Sequence, residues 1–165
     1  MMKKIVLFAL FLLPAGAFAQ EKIAYFNSAE IISTMPEYIQ MQDSLQKTIT
    51  AIKAEIATME DEYSKKYEAF MKEGETLIES IKIRRMQELR DLEQRAATYN
   101  ESSQQQLQEL SRALQAPIYQ KINDAIKAVG AENNFTYILD GTTLSYVGPN
   151  ATDATPLVKT KLGLK

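Results

Sequence analysis

Two clusters of charged side chains are where chemistry could reside in this chain. The first is Glu60-Asp61-Glu62, three adjacent acids of the kind that hold metals or move protons. On a helix, side chains one and two positions apart diverge around the surface, so these three cannot converge on one ion. The second cluster is basic. Lys82, Arg84, Arg85 and Arg90 fall within nine residues, with Glu88 the only acid among them. Lys65, Lys66 and Lys72 can lie beside them if the chain folds back. Such a concentration suits a first electrostatic contact with an acidic client or a membrane surface. Its competing use is i,i+4 pairing, as in Arg84 with Glu88. The chain contains no His and no Cys. That removes the commonest general base, the commonest metal ligand and all thiol chemistry. No glycine-rich phosphate loop occurs either. The reading is of a protein that is not an enzyme and uses no metal and no cofactor.

The elements that carry these clusters are helical. From Tyr38, larger side chains recur at Met41, Leu45, Ile49, Ile52, Ile56, Met59, Tyr63, Tyr67 and Phe70, always three or four residues apart. This is one narrow stripe on one helix. It continues through Gly74 and Leu77 to Ile81, with a mean step close to 3.6, so the helix pair should supercoil little. Gly74 is the only glycine between Gly16 and Gly130, and the turn of a helical hairpin is predicted within 73–82. The return arm carries Ile81, Met86, Leu89, Leu92, Ala96, Tyr99, then Gln106 or Leu107, Leu110 and Leu114. The polar run Ser102 to Gln106 leaves its seam thin, which predicts a compliant point there. Ile39, Met71, Leu77, Ile78 and Ile83 lie beside the seam, where they can touch a client. Met71, Leu77, Ile78 and Ile83, together with Lys82, Arg84 and Arg85, are the candidate contacts at the tip. Apolar residues beside a seam can equally widen the buried stripe.

The chain ends read differently. Lys22 to Phe26 is a strand candidate, Asn27 or Ser28 caps a short helix, and Pro36 suits the first position of the next. From Pro117 a denser helix face runs through Ile118, Ile122, Ala125, Ile126 and Val129. Phe135–Leu139 and Leu144–Val147 read as two strands joined by an Asp140-Gly141 hairpin turn, and Thr155-Pro156 opens a last helix. The predicted class is α+β: a long antiparallel α-helical hairpin, residues 36–116, projecting from a small β-containing body made of 20–35 and 117–165. So small a body is marginal alone and leaves strand edges open. Joining of sheets between copies is the economical solution, and the strand residues Ile23, Tyr25, Ile138 and Tyr146 are the candidates for that contact.

Residues 1–19 form a secretory leader. Lys3 and Lys4 precede the apolar run Ile5–Leu13, and Ala17-Phe18-Ala19 is an A-x-A cleavage signal, with cleavage expected after Ala19. The apolar run is too short to span a membrane. Without its two lysines the chain has 17 basic and 21 acidic residues, a net charge of −4 that argues against nucleic-acid binding.

The leader, Lys22-Ile23-Ala24-Tyr25-Phe26-Asn27, the Ile31–Pro36 turn, the hairpin, Pro117-Ile118-Tyr119-Gln120-Lys121-Ile122, Ala125-Ile126, Tyr137-Ile138-Leu139-Asp140 and Tyr146 together resemble the Skp/OmpH family of periplasmic chaperones. The resemblance implies a homotrimer whose arms enclose a cavity. It also implies an ATP-independent holdase for unfolded outer-membrane proteins. Well-known members are strongly basic, whereas this chain is acidic, so broad capture of lipid or lipopolysaccharide is not implied. The rival function is a structural coiled-coil spacer or adaptor of the cell envelope, for which a continuous, well-packed seam is expected.

Overall fold

The computed structural model describes residues 21–164. The leader and its cleavage point lie outside these residues. The chain forms β1 (Ile23–Phe26), α1 (Ser28–Thr34), α2 (Pro36–Glu73), α3 (Glu79–Asn133), β2 (Tyr137–Asp140), a 3-10 turn (Gly141–Thr143), β3 (Thr152–Asp153) and α4 (Thr155–Leu162). The class is α+β, a long helical hairpin set on a small strand-containing body.

Local signals explain most of the joints. Asn27 accepts from the Glu30 N–H at 3.0 Å and so satisfies a free donor at the start of α1. Pro36 begins α2, where its missing N–H has no consequence. Thr34 does not cap that helix; its hydroxyl bonds back to the Glu30 and Ile31 carbonyls. With 38 residues, α2 is about 57 Å long. The chain turns over residues 74–78 and returns as α3, whose 55 residues span about 82 Å. This helix crosses Pro117 without ending, so arm and body share one rod. Asn134 closes it in the left-handed conformation at φ 54, one of the few non-glycine types that adopt it readily.

The sheet order is β2-β1-β3, all parallel. Here the structure departs from the sequence reading. Asp140-Gly141 does not make a hairpin. The Asp140 carboxylate accepts from both the Thr142 N–H and its hydroxyl, which winds the chain into the 3-10 turn. Residues 144–147 form no strand, and Tyr146 stands in a loop at 79% exposure. The third strand is Thr152–Asp153, which reaches the far side of β1.

One core joins these pieces. Ala24, Phe26, Ile31, Met35, Ile118, Ile122, Ala125, Val129, Ala154 and Val158 are buried, together with Met41 from the base of α2. Tyr38, Leu45 and Leu114 pack against it, so the core runs up into the first turns of the hairpin. Beyond that level the hairpin is a thin seam. In the middle of the polar run, Ser103 is buried to 2%. A small side chain thus faces the partner helix where no large one is available.

Candidate functional site

The hairpin has two unlike sides, and the order of residues around each helix decides which side each one faces. Successive helical residues are about 100° apart. In α2, Tyr38 packs towards the core, so Glu37 lies to one side of the seam and Ile39 to the other. In α3, Ile118 is buried, with Pro117 to one side and Tyr119 to the other. One groove at the base is lined by Glu37, Gln40, Ser44, Pro117 and Lys121, and the opposite one by Tyr38, Gln115 and Tyr119. Ile39 and Tyr119 therefore share a side. They are 60% and 52% exposed.

The tip repeats the arrangement. A groove lined by Lys66, Ala69, Arg84 and Glu88 lies on the Glu37 side. Met71 follows Phe70, and Met86 follows Arg85, on the other side. Met71 and Ile83 are 62% and 57% exposed, and Met86 and Tyr67 are exposed beside them. Tyr67 stacks on Tyr63 with ring centres 6.0 Å apart. A hydrogen bond to Glu93 pushes the Tyr63 phenol up from its usual range.

The ion pairs that join α2 to α3 occupy the Glu37 side. They are Lys121 with Glu37, Lys66 with Glu88 at 3.8 Å, and Arg85 with Glu73 at 3.2 Å. The Lys121 hydrogen bond holds the Glu37 carboxyl below its usual range. The second Glu37 carboxyl oxygen is buried with no hydrogen-bond partner among the described residues. The acid cluster behaves as its spacing requires: Asp61 pairs with Lys65 at 2.5 Å and Glu62 with Lys66 at 3.6 Å. Among the described residues, no group of acids is placed to hold a metal ion.

These positions sort the candidate tip contacts. Met71 and Ile83 stand together on the unstitched side, and Ile78 is exposed at the turn. Leu77 is half-buried. Arg84 and Arg85 belong to the stitched side, held by Glu88 and Glu73. Lys72, Lys82 and Arg90 have no ion pair among the described residues. Ile39 was read as lying beside the seam, whereas Met86 and Tyr119 were not singled out by the sequence reading for this role. Their signal was present, since each directly follows a residue at or near the seam.

The body presents a second apolar surface. Register pairs Ile23 with Tyr137 and Tyr25 with Leu139, and in a sheet alternate residues face opposite ways. Ile23, Tyr137 and Leu139 are exposed on this outer face. Ile138 pairs with Ala24 on the inner face and packs against the core, so its side chain is turned away from the surface proposed for it. Tyr146 is exposed, but from a loop rather than a strand.

Comparison with known proteins accounts for the architecture. The family model described as outer membrane protein (OmpH-like) matches residues 22–162. The chaperone protein Skp of Pectobacterium atrosepticum is 23% identical over 141 residues, covering 86% of this chain and 85% of that one. The crystal structure of an OmpH-like protein from Caulobacter crescentus, described as a candidate outer membrane chaperone, superposes with a TM-score of 0.76 at 15% identity. It covers 86% of this chain and 83% of the other. The strand-bearing body, the hairpin and a family match over nearly all of the described residues place this chain in the OmpH-like family.

Proposed function

We propose that this chain is a periplasmic holdase, an ATP-independent chaperone that keeps unfolded outer-membrane proteins from aggregating. The observation that carries the reading is the row of large apolar side chains left exposed beside the hairpin seam: Ile39, Met71, Ile83 and Tyr119. A thin rod that buried its apolar residues only in its own seam would suit a spacer. Side chains left open in this way suit weak, dispersed contact with an unfolded chain. The Skp relative and the OmpH-like neighbour support the same assignment, and the leader-like residues 1–19 support export to the periplasm.

Self-association belongs to this proposal. The face made by exposed Ile23, Tyr137 and Leu139 with half-buried Tyr25, and the adjacent Tyr146, are the surface through which three copies would join, so that three arms bound a cavity. Contact of the tip with a membrane surface is the weaker use. Arg84, Arg85 and Lys66 are occupied by acids, which leaves only part of the basic cluster to meet one.

The test uses the exported chain, Gln20 to Lys165. An outer-membrane β-barrel protein unfolded in urea is diluted into buffer with and without it, and light scattering is followed without nucleotide. Suppressed scattering is the expected result. Unchanged scattering at large excess would overturn the holdase and favour a spacer, which has no reason to hold unfolded chains.

A further inference from the structure

We propose that the hairpin receives its client on one side only, and there at two separate patches that a single extended client segment bridges. This rests on the holdase reading and assigns the face that performs it. Ile83 and Tyr119 are 36 positions apart, which is ten turns at about 3.6 residues per turn, so they share one azimuth on α3. Ile39 and Met71 are 32 positions apart and lie within about 40° of each other on α2. The basal patch is Ile39 with Tyr119, and the distal patch is Met71 with Ile83 and Met86. Between them, among the described residues, no large apolar side chain is exposed on α2 from Ile39 to Tyr67, nor on α3 from Met86 to Tyr119.

The opposite side is already committed. Lys121–Glu37, Lys66–Glu88 and Arg85–Glu73 stitch the helices together there, and it exposes no comparable apolar side chain. The occupant of the open side is an unfolded polypeptide in which apolar residues are interspersed with acids. Met71, Ile83 and Met86 supply apolar contact at the distal end. Lys72, Lys82 and Arg90, which make no ion pair among the described residues (Arg90 donates to the neutral Gln87 side chain at 2.8 Å), supply the complementary charge in an otherwise acidic chain.

The separation sets a length. Thirty-six helical residues rise about 54 Å, which an extended chain spans with about 16 residues. A shorter segment reaches one patch, whereas a longer one reaches both, and its second contact is then intramolecular.

Fluorescence anisotropy with labelled acidic–aromatic peptides of about 10 and about 24 residues, either side of the span, tests this. The longer peptide is expected to bind at least about tenfold more tightly, through effective concentration. Ile39→Ser with Tyr119→Ser, or Met71→Ser with Ile83→Ser, should each abolish the length advantage. Glu55→Gln, 18 positions and so five turns from Glu37 on the stitched side, should leave it intact. All these side chains are exposed, and circular dichroism checks that each variant keeps its helix. Equal affinity for both lengths, or equal loss from either side, overturns the two-patch proposal while leaving the holdase standing. A fall in native mass on changing Ile39 and Tyr119 also overturns it, because the basal patch would then be a contact between copies. If the unaltered chain binds neither peptide and suppresses no aggregation, the holdase reading itself falls.

Discussion

In the body, Ile31, Met35, Ala154 and Val158 are wholly covered and belong to a single cluster. In the outer hairpin only Leu89, Leu92 and Ser103 reach comparable burial, spread over roughly 20 Å of α3. The two regions therefore hold their shape by different means. The body relies on a core where each side chain touches many others. The hairpin relies on backbone hydrogen bonds, a one-residue-wide seam and surface pairs such as Lys65–Asp61 and Lys47–Asp43, each worth little alone. Local opening needs little disruption where few apolar contacts are buried. The arm can therefore change its outline while the base stays in one piece.

The largest expected effect tests the body. Ile31→Ala should cost about 2–5 kcal/mol, because it empties a fully enclosed site, and urea unfolding followed by circular dichroism reads it. A loss below about 1 kcal/mol would mean that the body is as loosely held as the arm. Next is the seam. Ser103→Leu should cost about 1–3 kcal/mol by forcing the helices apart, with faster amide exchange confined to the neighbouring stretches of α2 and α3. If it stabilised the chain instead, the seam at that level would hold unfilled space.

Smaller effects sharpen the boundary between the regions. Lys121 lowers the Glu37 pKa below its ordinary 4.5. A depressed carboxylate contributes stability that is present above the unfolded value and lost as pH falls through the folded one. Stability should therefore decline below about pH 4.5, and Glu37→Gln should remove part of that decline. The pair is partly exposed, so screening keeps its contribution to about 1 kcal/mol or less. Titration of the urea midpoint against pH measures it. Last, Tyr146→Ser should shift the midpoint by no more than about 0.5 kcal/mol when the chain is dilute. A larger loss would show the loop to be part of the core.

The hairpin was readable because a helix prints its buried side into the sequence every three or four residues, as from Tyr38 to Phe70. Asn27 and Pro36 announced their helix starts through local chemistry that needs no distant partner. The failures lie where the deciding partner is remote or small. Thr152–Asp153 has no β-rich pattern, and only its neighbour β1 makes it a strand. Asp140-Gly141 carries a hairpin signal, yet the side chain of Thr142 diverts it. Ser103 looked like a gap because polarity was read before size, although its four-residue steps from Tyr99 and to Leu107 keep it in the seam. The outward turn of Ile23 and the inward turn of Ile138 needed the register between β1 and β2. Of the exposed residues of the hairpin, Ile39, Met71 and Ile83 were visible as residues beside the stripe, and Tyr119 was not. That both helices turn them to the same side could not be read until the two were seen packed together.

The parallel pairing of β1 with β2 also dictates a sequence of events during biogenesis. Ile23 and its partner Tyr137 are separated by 114 positions, the whole of the hairpin lying between them. As the chain emerges from its amino end, β1 must wait without a partner until α3 is complete. The α2–α3 contacts are local by comparison and can zip from the turn at 74–78 towards the base. That zipping brings residues 35 and 118 together and so shortens the loop that β1 and β2 must close, reducing its entropic cost. The arm is thus the scaffold on which the sheet is finally closed.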